Sequence, residues 1–89
     1  MTEMEKEKVL SAALCEAQIY RALELDGLSD GVLKSHKMAF RTAMRLAVSL
    51  GIATQEDSER IWEKGRAAAE DLAAWKAEEH QRKAAEGAA

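Results

Sequence analysis

Few side chains of this sequence could do covalent or metal chemistry: His36, His80 and the single cysteine, Cys15. A zinc site needs about three or four protein ligands, yet no His-x-x-x-His or Glu-x-x-His pair occurs anywhere in the chain. A nucleophilic Cys15–His36 pair has suitable residue types but no supporting spacing. We therefore predict no catalytic residue, no metal site and no cofactor, and that the protein is not an enzyme.

His36 lies in residues 31–51, GVLKSHKMAFRTAMRLAVSLG, a segment with helical periodicity. Folding this helix back on the preceding one brings Tyr20 level with His36 and places Glu16 one turn further on. We expect a hydrogen bond to Tyr20 or Glu16 to satisfy the imidazole, and a pH-sensitive contact is the alternative interpretation. The face that His36 shares is otherwise apolar: Val32, Ala39, Phe40, Ala43, Ala47 and Leu50.

A row of bases follows another side of the same helix, with Lys34, Lys37, Arg41 and Arg45 at i, i+3, i+7 and i+11. Positive charge is concentrated here, because residues 30–50 carry four bases and one acid whereas both flanking segments are net acidic. The row is interpreted as a solvated face that complements the acidic helices, as a site for an acidic protein partner, or as a weak nucleic-acid contact. It has no interleaved aromatic residue for stacking on bases.

Residues 46–62, LAVSLGIATQEDSERIW, resemble the first half of a helix-turn-helix in the apolar residues around Gly51. In that family the residue six positions after the glycine is apolar and holds the recognition helix down, but here it is Asp57. The would-be recognition helix also carries Glu56 and Glu59, which would face phosphates with negative charge. Because the chain departs from the pattern at these points, we do not assign it to that family.

Capping residues and glycines divide the chain into three predicted helices, running from about residue 3 to 25, from 30 to near 50, and from 55 to about 85. The predicted N-caps are Thr2, Ser29 or Asp30, and Thr54. Gly27 and Gly51 are expected in the left-handed conformation that ends the first two helices. Since short turns favour antiparallel neighbours, the predicted fold is all-α: an antiparallel up-down-up three-helix bundle with an overlong C-terminal helix, alone or completed by dimerisation.

The third helix is too long for its partners, at roughly 45 Å against roughly 30 Å for the second. Its apolar row ends at Trp75, after which Glu79 follows. We therefore assign residues 1–76 to the three-helix domain and residues 77–89 to a frayed or solvated helical extension. An arm that docks on a partner is the alternative interpretation of this extension.

The first helix is apolar on two arcs, whereas a helix in a small bundle needs to bury only one. The second arc, formed by Leu10, Leu14, Ala17 and Leu25, is therefore the candidate oligomer face. Most of the core volume is expected from the larger apolar side chains: Tyr20, Leu23, Val32, Phe40, Leu46, Leu50, Ile61, Leu72 and Trp75.

Length and composition limit the kinds of function that this protein can have. Eighty-nine residues with a net charge of −3 fit one small domain, and scaffolds of this size often rely on oligomerisation for stability. A single cysteine suits a reducing compartment, and no apolar run reaches the roughly 18 residues of a membrane helix, so we expect a soluble cytoplasmic protein with no membrane contact. The sequence predicts a protein–protein interaction module that self-associates, with a dimer favoured. The alternative is a nucleic-acid-associated regulator, of a bacterial or phage kind, that uses the basic row.

Overall fold

The chain folds into three helices, described over residues 2–88 in a computed structural model: α1 (Glu3–Leu25), α2 (Asp30–Ser49) and α3 (Gln55–Ala88). No strand occurs in this range, and α1 packs against both α2 and α3. The predicted all-α three-helix bundle is therefore confirmed. Met1 and Ala89, the outer limits of the predicted domain and extension, lie outside the described residues.

Side-chain hydrogen bonds to the backbone begin two of the helices. Thr2 Oγ1 accepts the Glu5 N–H at 3.2 Å, as predicted for α1. At α3, Thr54 Oγ1 accepts the Asp57 N–H at 3.1 Å, and the Asp57 carboxylate accepts the Thr54 N–H at 2.9 Å. The hydrogen bond from the Thr54 backbone N–H holds the pKa of the Asp57 carboxyl below its ordinary value, and a hydrogen bond with the Thr54 side chain lowers this pKa further.

Two glycines end α1 and α2 as predicted. Gly27 and Gly51 have φ of 74° and 72°, a left-handed backbone that costs little only for glycine. The chain reverses direction just after each, which sets α2 antiparallel to α1 and α3 antiparallel to α2.

The core is small and rich in alanine. Its buried cluster consists of Ala13, Ala17, Phe40, Met44, Ala47 and Ala53. The prediction was right for Phe40 but wrong for the exposed side chains Val32, Leu46, Leu50, Leu72 and Trp75. On α2 the cause is a rotation: the helix buries the arc through Phe40, Met44 and Ala47, and it turns the arc through Val32, Ala39 and Leu46 to solvent.

Helix α1 is the middle helix, and small residues let α3 approach it closely. A Cβ placed on Gly65 would lie 2.6 Å from Ala17 Cβ and 2.8 Å from the Leu14 carbonyl oxygen. Further along the same contact, Arg21 Nε donates to Glu70 Oε1 at 2.8 Å and so fixes the register of α1 on α3. Hydrogen bonds to Glu24 and Glu70 raise the pKa of the Arg21 guanidinium.

Helix α3 continues past the end of α1 and to Ala88, three residues beyond its predicted end. The extension keeps its helical form partly through Arg82, which pairs with Glu79 at 2.9 Å and with Glu86 at 2.8 Å. Side chains from residue 77 to residue 87 are exposed, apart from the half-buried Glu79. At about 1.5 Å per residue, residues 77–88 project roughly 18 Å from the bundle.

Candidate interaction surfaces

The predicted basic row lies beside α3. Lys34, Arg41 and Arg45 are exposed, and Lys37 is half-buried. Lys37, Arg41 and Arg45 line two clefts between α2 and the first turns of α3, whereas Lys34 lines neither of them. The structure therefore gathers three of the four predicted residues on one surface.

Arg41 and Arg45 differ from every other arginine of the chain in lacking an acidic partner among residues 2–88. The other four each have a carboxylate oxygen within 4.0 Å: Arg21, Arg60, Arg66 and Arg82. Lys34 and Lys37 likewise have no described carboxylate within that distance. The acidic helices on either side thus leave the charge of the basic row unneutralised by direct ion pairs.

The two clefts form one groove, because Arg41, Gln55 and Ser58 line both of them. Their volumes are about 230 Å³ and about 310 Å³. We call this feature the basic groove. Its α2 lip carries Lys37, Arg41 and Arg45, and its α3 lip carries Gln55, Ser58 and Glu59.

Aromatic side chains close the inner end of the basic groove. The Trp62 ring packs against Phe40 and Tyr20, with centroids 4.8 Å and 4.9 Å apart, and the Arg66 guanidinium carbon lies 5.9 Å from the Trp62 centroid. These neighbours occupy much of the indole surface. Trp62 is half-buried, so part of its indole forms an apolar floor for the groove.

The predicted oligomer face is partly covered by α3. Ala17 is fully buried against Gly65, so its place on a surface for another copy was wrong. The physical reason is that α1 lies between α2 and α3 and must bury both of its apolar arcs. Leu10 and Leu14 remain half-buried and Leu25 is 44% exposed.

Helix α3 extends this surface with three apolar side chains of its own. Ile61 lines one shallow cleft with Leu10 and Leu14, and Leu72 lines a second with Leu25. Trp75 follows on the same row of α3, three residues after Leu72. We call the whole surface the α1–α3 face; its members are Leu10, Leu14, Leu25, Ile61, Leu72 and Trp75.

Charged residues stand at both ends of the α1–α3 face in the same arrangement. Glu7 of α1 and Lys64 of α3 line the first cleft, and Asp26, just after α1, and Lys76 of α3 line the second. None of the four makes an ion pair within 4.0 Å among residues 2–88. Each end of the face therefore carries an acid on the α1 side and a base on the α3 side.

His36 makes one of the two hydrogen bonds expected of it. Its Nδ1 lies 2.8 Å from Glu16 Oε2, with both side chains less than a third exposed, at 31% and 30%. Tyr20, the other expected partner, packs on Trp62 instead. Among the described residues, no group of three or more His, Cys, Asp or Glu side chains is placed to hold a metal ion.

The sequence did not lead us to predict that α3 contributes residues to the basic groove and to the α1–α3 face. Gln55 and Ser58 carry no sequence signal for a groove, because they are ordinary residues of a helix N-terminus. Lys64 and Lys76 could have been found, since they follow Ile61 at i+3 and Leu72 at i+4.

Within residues 2–88, no helix is both long and apolar enough to cross a membrane. Comparison with known proteins finds no matching family model, no similar curated protein and no similar solved structure.

Proposed function

We propose that this chain is a helical protein–protein interaction module that self-associates through the α1–α3 face and has no catalytic activity of its own. The observation that carries the proposal is that Leu25 and Leu72, which line one cleft between α1 and α3, are 44% and 43% exposed, and that Trp75, three residues after Leu72, is 58% exposed. Contiguous exposed apolar side chains are typical of interaction sites, and tryptophan is enriched in interfaces. The single cysteine, Cys15, suits the reducing cytoplasm, where we place the protein.

A second copy of the chain is the occupant that the charges favour. A two-fold axis along the helices would set α1 of each copy on α3 of the other. Glu7 would then oppose the partner's Lys64, and Asp26 would oppose the partner's Lys76. Pairs of this kind at the edge of an interface fix its register and orientation more than they add affinity.

The small core provides an energetic reason for self-association. Phe40 and Met44 are the only buried side chains larger than alanine among the described residues. A domain of this size buries a smaller share of its surface than a larger domain does and has little stability to spare. A dimer that covers Leu25, Leu72 and Trp75 would be stabilised by about 25 cal/mol for each Å² of apolar surface that it removes from water.

The proposal is tested by sedimentation velocity on the wild-type chain and on two variants. Leu25→Lys/Leu72→Lys places two charges on the α1–α3 face, and we expect it to sediment as a folded monomer while the wild type forms a dimer. Leu46→Lys is the control for a lysine at an exposed apolar site outside this face, because Leu46 is 54% exposed on α2, and it should remain dimeric. A wild-type chain that stays monomeric at high concentration, or a dimer lost only in Leu46→Lys, would contradict the proposal.

A nucleic-acid-associated regulator is the second candidate function, and the unpaired Arg41 and Arg45 are the observation in its favour. Phosphate contacts need free cations and make binding strongly salt-dependent. The corresponding test is binding to duplex DNA that weakens steeply with salt and is lost in K34E/K37E/R41E/R45E.

A further inference from the structure

We infer that the basic groove binds an acidic helix of a different protein, with carboxylates on Lys37, Arg41 and Arg45 and an apolar side chain directed at the groove floor. The inference goes beyond self-association, because the basic groove lies between α2 and α3 whereas the α1–α3 face lies on the other side of α3. It rests on the charges, the shape and the floor of the groove.

The spacing of the bases fits a helical partner. Lys37, Arg41 and Arg45 follow one another at i, i+4 and i+8, which is about 6 Å per step along α2. A partner helix with a carboxylate on every fourth residue repeats this spacing. A groove between two helices is also a common receptor for the apolar face of a third.

The two lips of the groove define how the partner is oriented. On the α3 lip, Gln55 and Ser58 are neutral hydrogen-bonding groups and Glu59 is negative. The acidic side of the partner must therefore face α2, because Glu59 would repel it from α3. Val48, at 38% exposure, and the edge of Trp62 are left for the partner's apolar side chains.

The same features disfavour a nucleic acid in the groove. Bases of a single strand need free aromatic faces, but Tyr20 and Phe40 pack against the Trp62 ring. A duplex would bring its phosphates towards Glu59 on the α3 lip as well as towards the bases on α2. A protein helix avoids this conflict, because it can carry acids on one side alone.

The test uses a labelled alanine-based peptide of about 16 residues, long enough to form helix, with glutamate at every fourth position and leucine three residues after each glutamate. Its binding is followed by fluorescence anisotropy at low and high salt. A peptide with glutamine in place of glutamate is the ligand control. The same titrations are run with a short DNA duplex and a single strand.

Two variants with equal changes in net charge distinguish binding in the groove from attraction by the overall charge of the protein. Arg41→Glu/Arg45→Glu reverses two exposed groove residues, and Lys8→Glu/Lys83→Glu reverses two exposed bases elsewhere. We expect salt-sensitive binding of the glutamate peptide that falls about tenfold or more in Arg41→Glu/Arg45→Glu and changes little in Lys8→Glu/Lys83→Glu.

Three results would overturn the inference: no binding of the glutamate peptide at low salt, equal losses in both variants, or tighter binding of either DNA than of the peptide. Repeating the titration with the Leu25→Lys/Leu72→Lys variant separates the two proposals. Peptide binding should survive in that variant, so a failure of self-association and a failure of the groove give different results.

Discussion

Gly65 of α3 lies directly on Ala17 of α1, and a Cβ at Gly65 would come within 2.6 Å of the Ala17 Cβ. Because both residues are small, α3 can pack closely on α1, which also packs against α2. It brings α3 over the second apolar arc of α1 and buries Ala17 completely. It also leaves the larger side chains of that arc, such as Leu25, at the edge of the contact, where they form the α1–α3 face.

Replacing Gly65 with alanine should destabilise the fold. Overpacking a rigid contact costs about 1–3 kcal/mol, and the better helix propensity of alanine returns up to about 1 kcal/mol, so we expect a net loss near 1 kcal/mol in urea unfolding. Gly31→Ala is the matched control, because a Cβ at Gly31 meets nothing within 4 Å, and it should be neutral or stabilising. A Gly65→Ala protein as stable as the wild type would show that the helices are not in this close contact.

The start of α3 should make stability depend on acid pH. The pKa of Asp57 is lowered in the folded chain by its bonds with Thr54. Its stabilising contribution is therefore complete above the unfolded pKa, near about 4, and is lost as the pH falls through the lower folded value. Unfolding curves from neutral to strongly acidic pH should show a weaker acid-dependent loss of stability in Asp57→Asn than in the wild type, and identical losses would contradict the assignment.

The His36–Glu16 contact should behave as a modest structural pair. A double-mutant cycle with His36→Ala and Glu16→Ala should give a coupling free energy of roughly 0.5–1 kcal/mol in unfolding, because both side chains are only partly buried. Strict additivity of the two substitutions would show that the contact contributes nothing.

Trp75 should matter for association and little for the fold of one copy. It is 58% exposed, and large aromatic residues commonly dominate interfaces. We expect Trp75→Ala to raise the dimer dissociation constant by about tenfold or more, as measured by sedimentation equilibrium. Met38→Ala is the control, because Met38 is 66% exposed on α2; equal effects of the two substitutions would contradict the assignment of the face.

The helix boundaries could be predicted because their causes are local. Thr2, Thr54, Gly27 and Gly51 act through bonds or backbone angles within a few residues of each helix end. The hydrogen bond of His36 to Glu16 could also be anticipated, since a short turn after Leu25 fixes the level of α2 against α1. The end of α3 was less well defined because Gly87, the glycine next to it, lies inside the helix and does not end it.

The buried faces could not be predicted in the same way. On α2 the apolar residues cover a wide arc, and the sequence does not say whether Leu46 or Met44 turns towards α1. The structure buries Met44 and exposes Leu46. The lack of an acidic partner for Arg41 and Arg45 could not be predicted either, because it depends on which acidic side chains the fold brings near them.

The most direct measurement of the central claim, self-association of α1 on α3 between two copies, is a mixing experiment with charge-reversed chains. Lys64→Glu/Lys76→Glu makes both ends of the face wholly acidic, and Glu7→Lys/Asp26→Lys makes them wholly basic. Light scattering should show each variant largely monomeric alone and a dimer in the equimolar mixture, because each acid then meets a base. Variants that dimerise alone as well as the wild type, or a mixture that stays monomeric, would contradict the account.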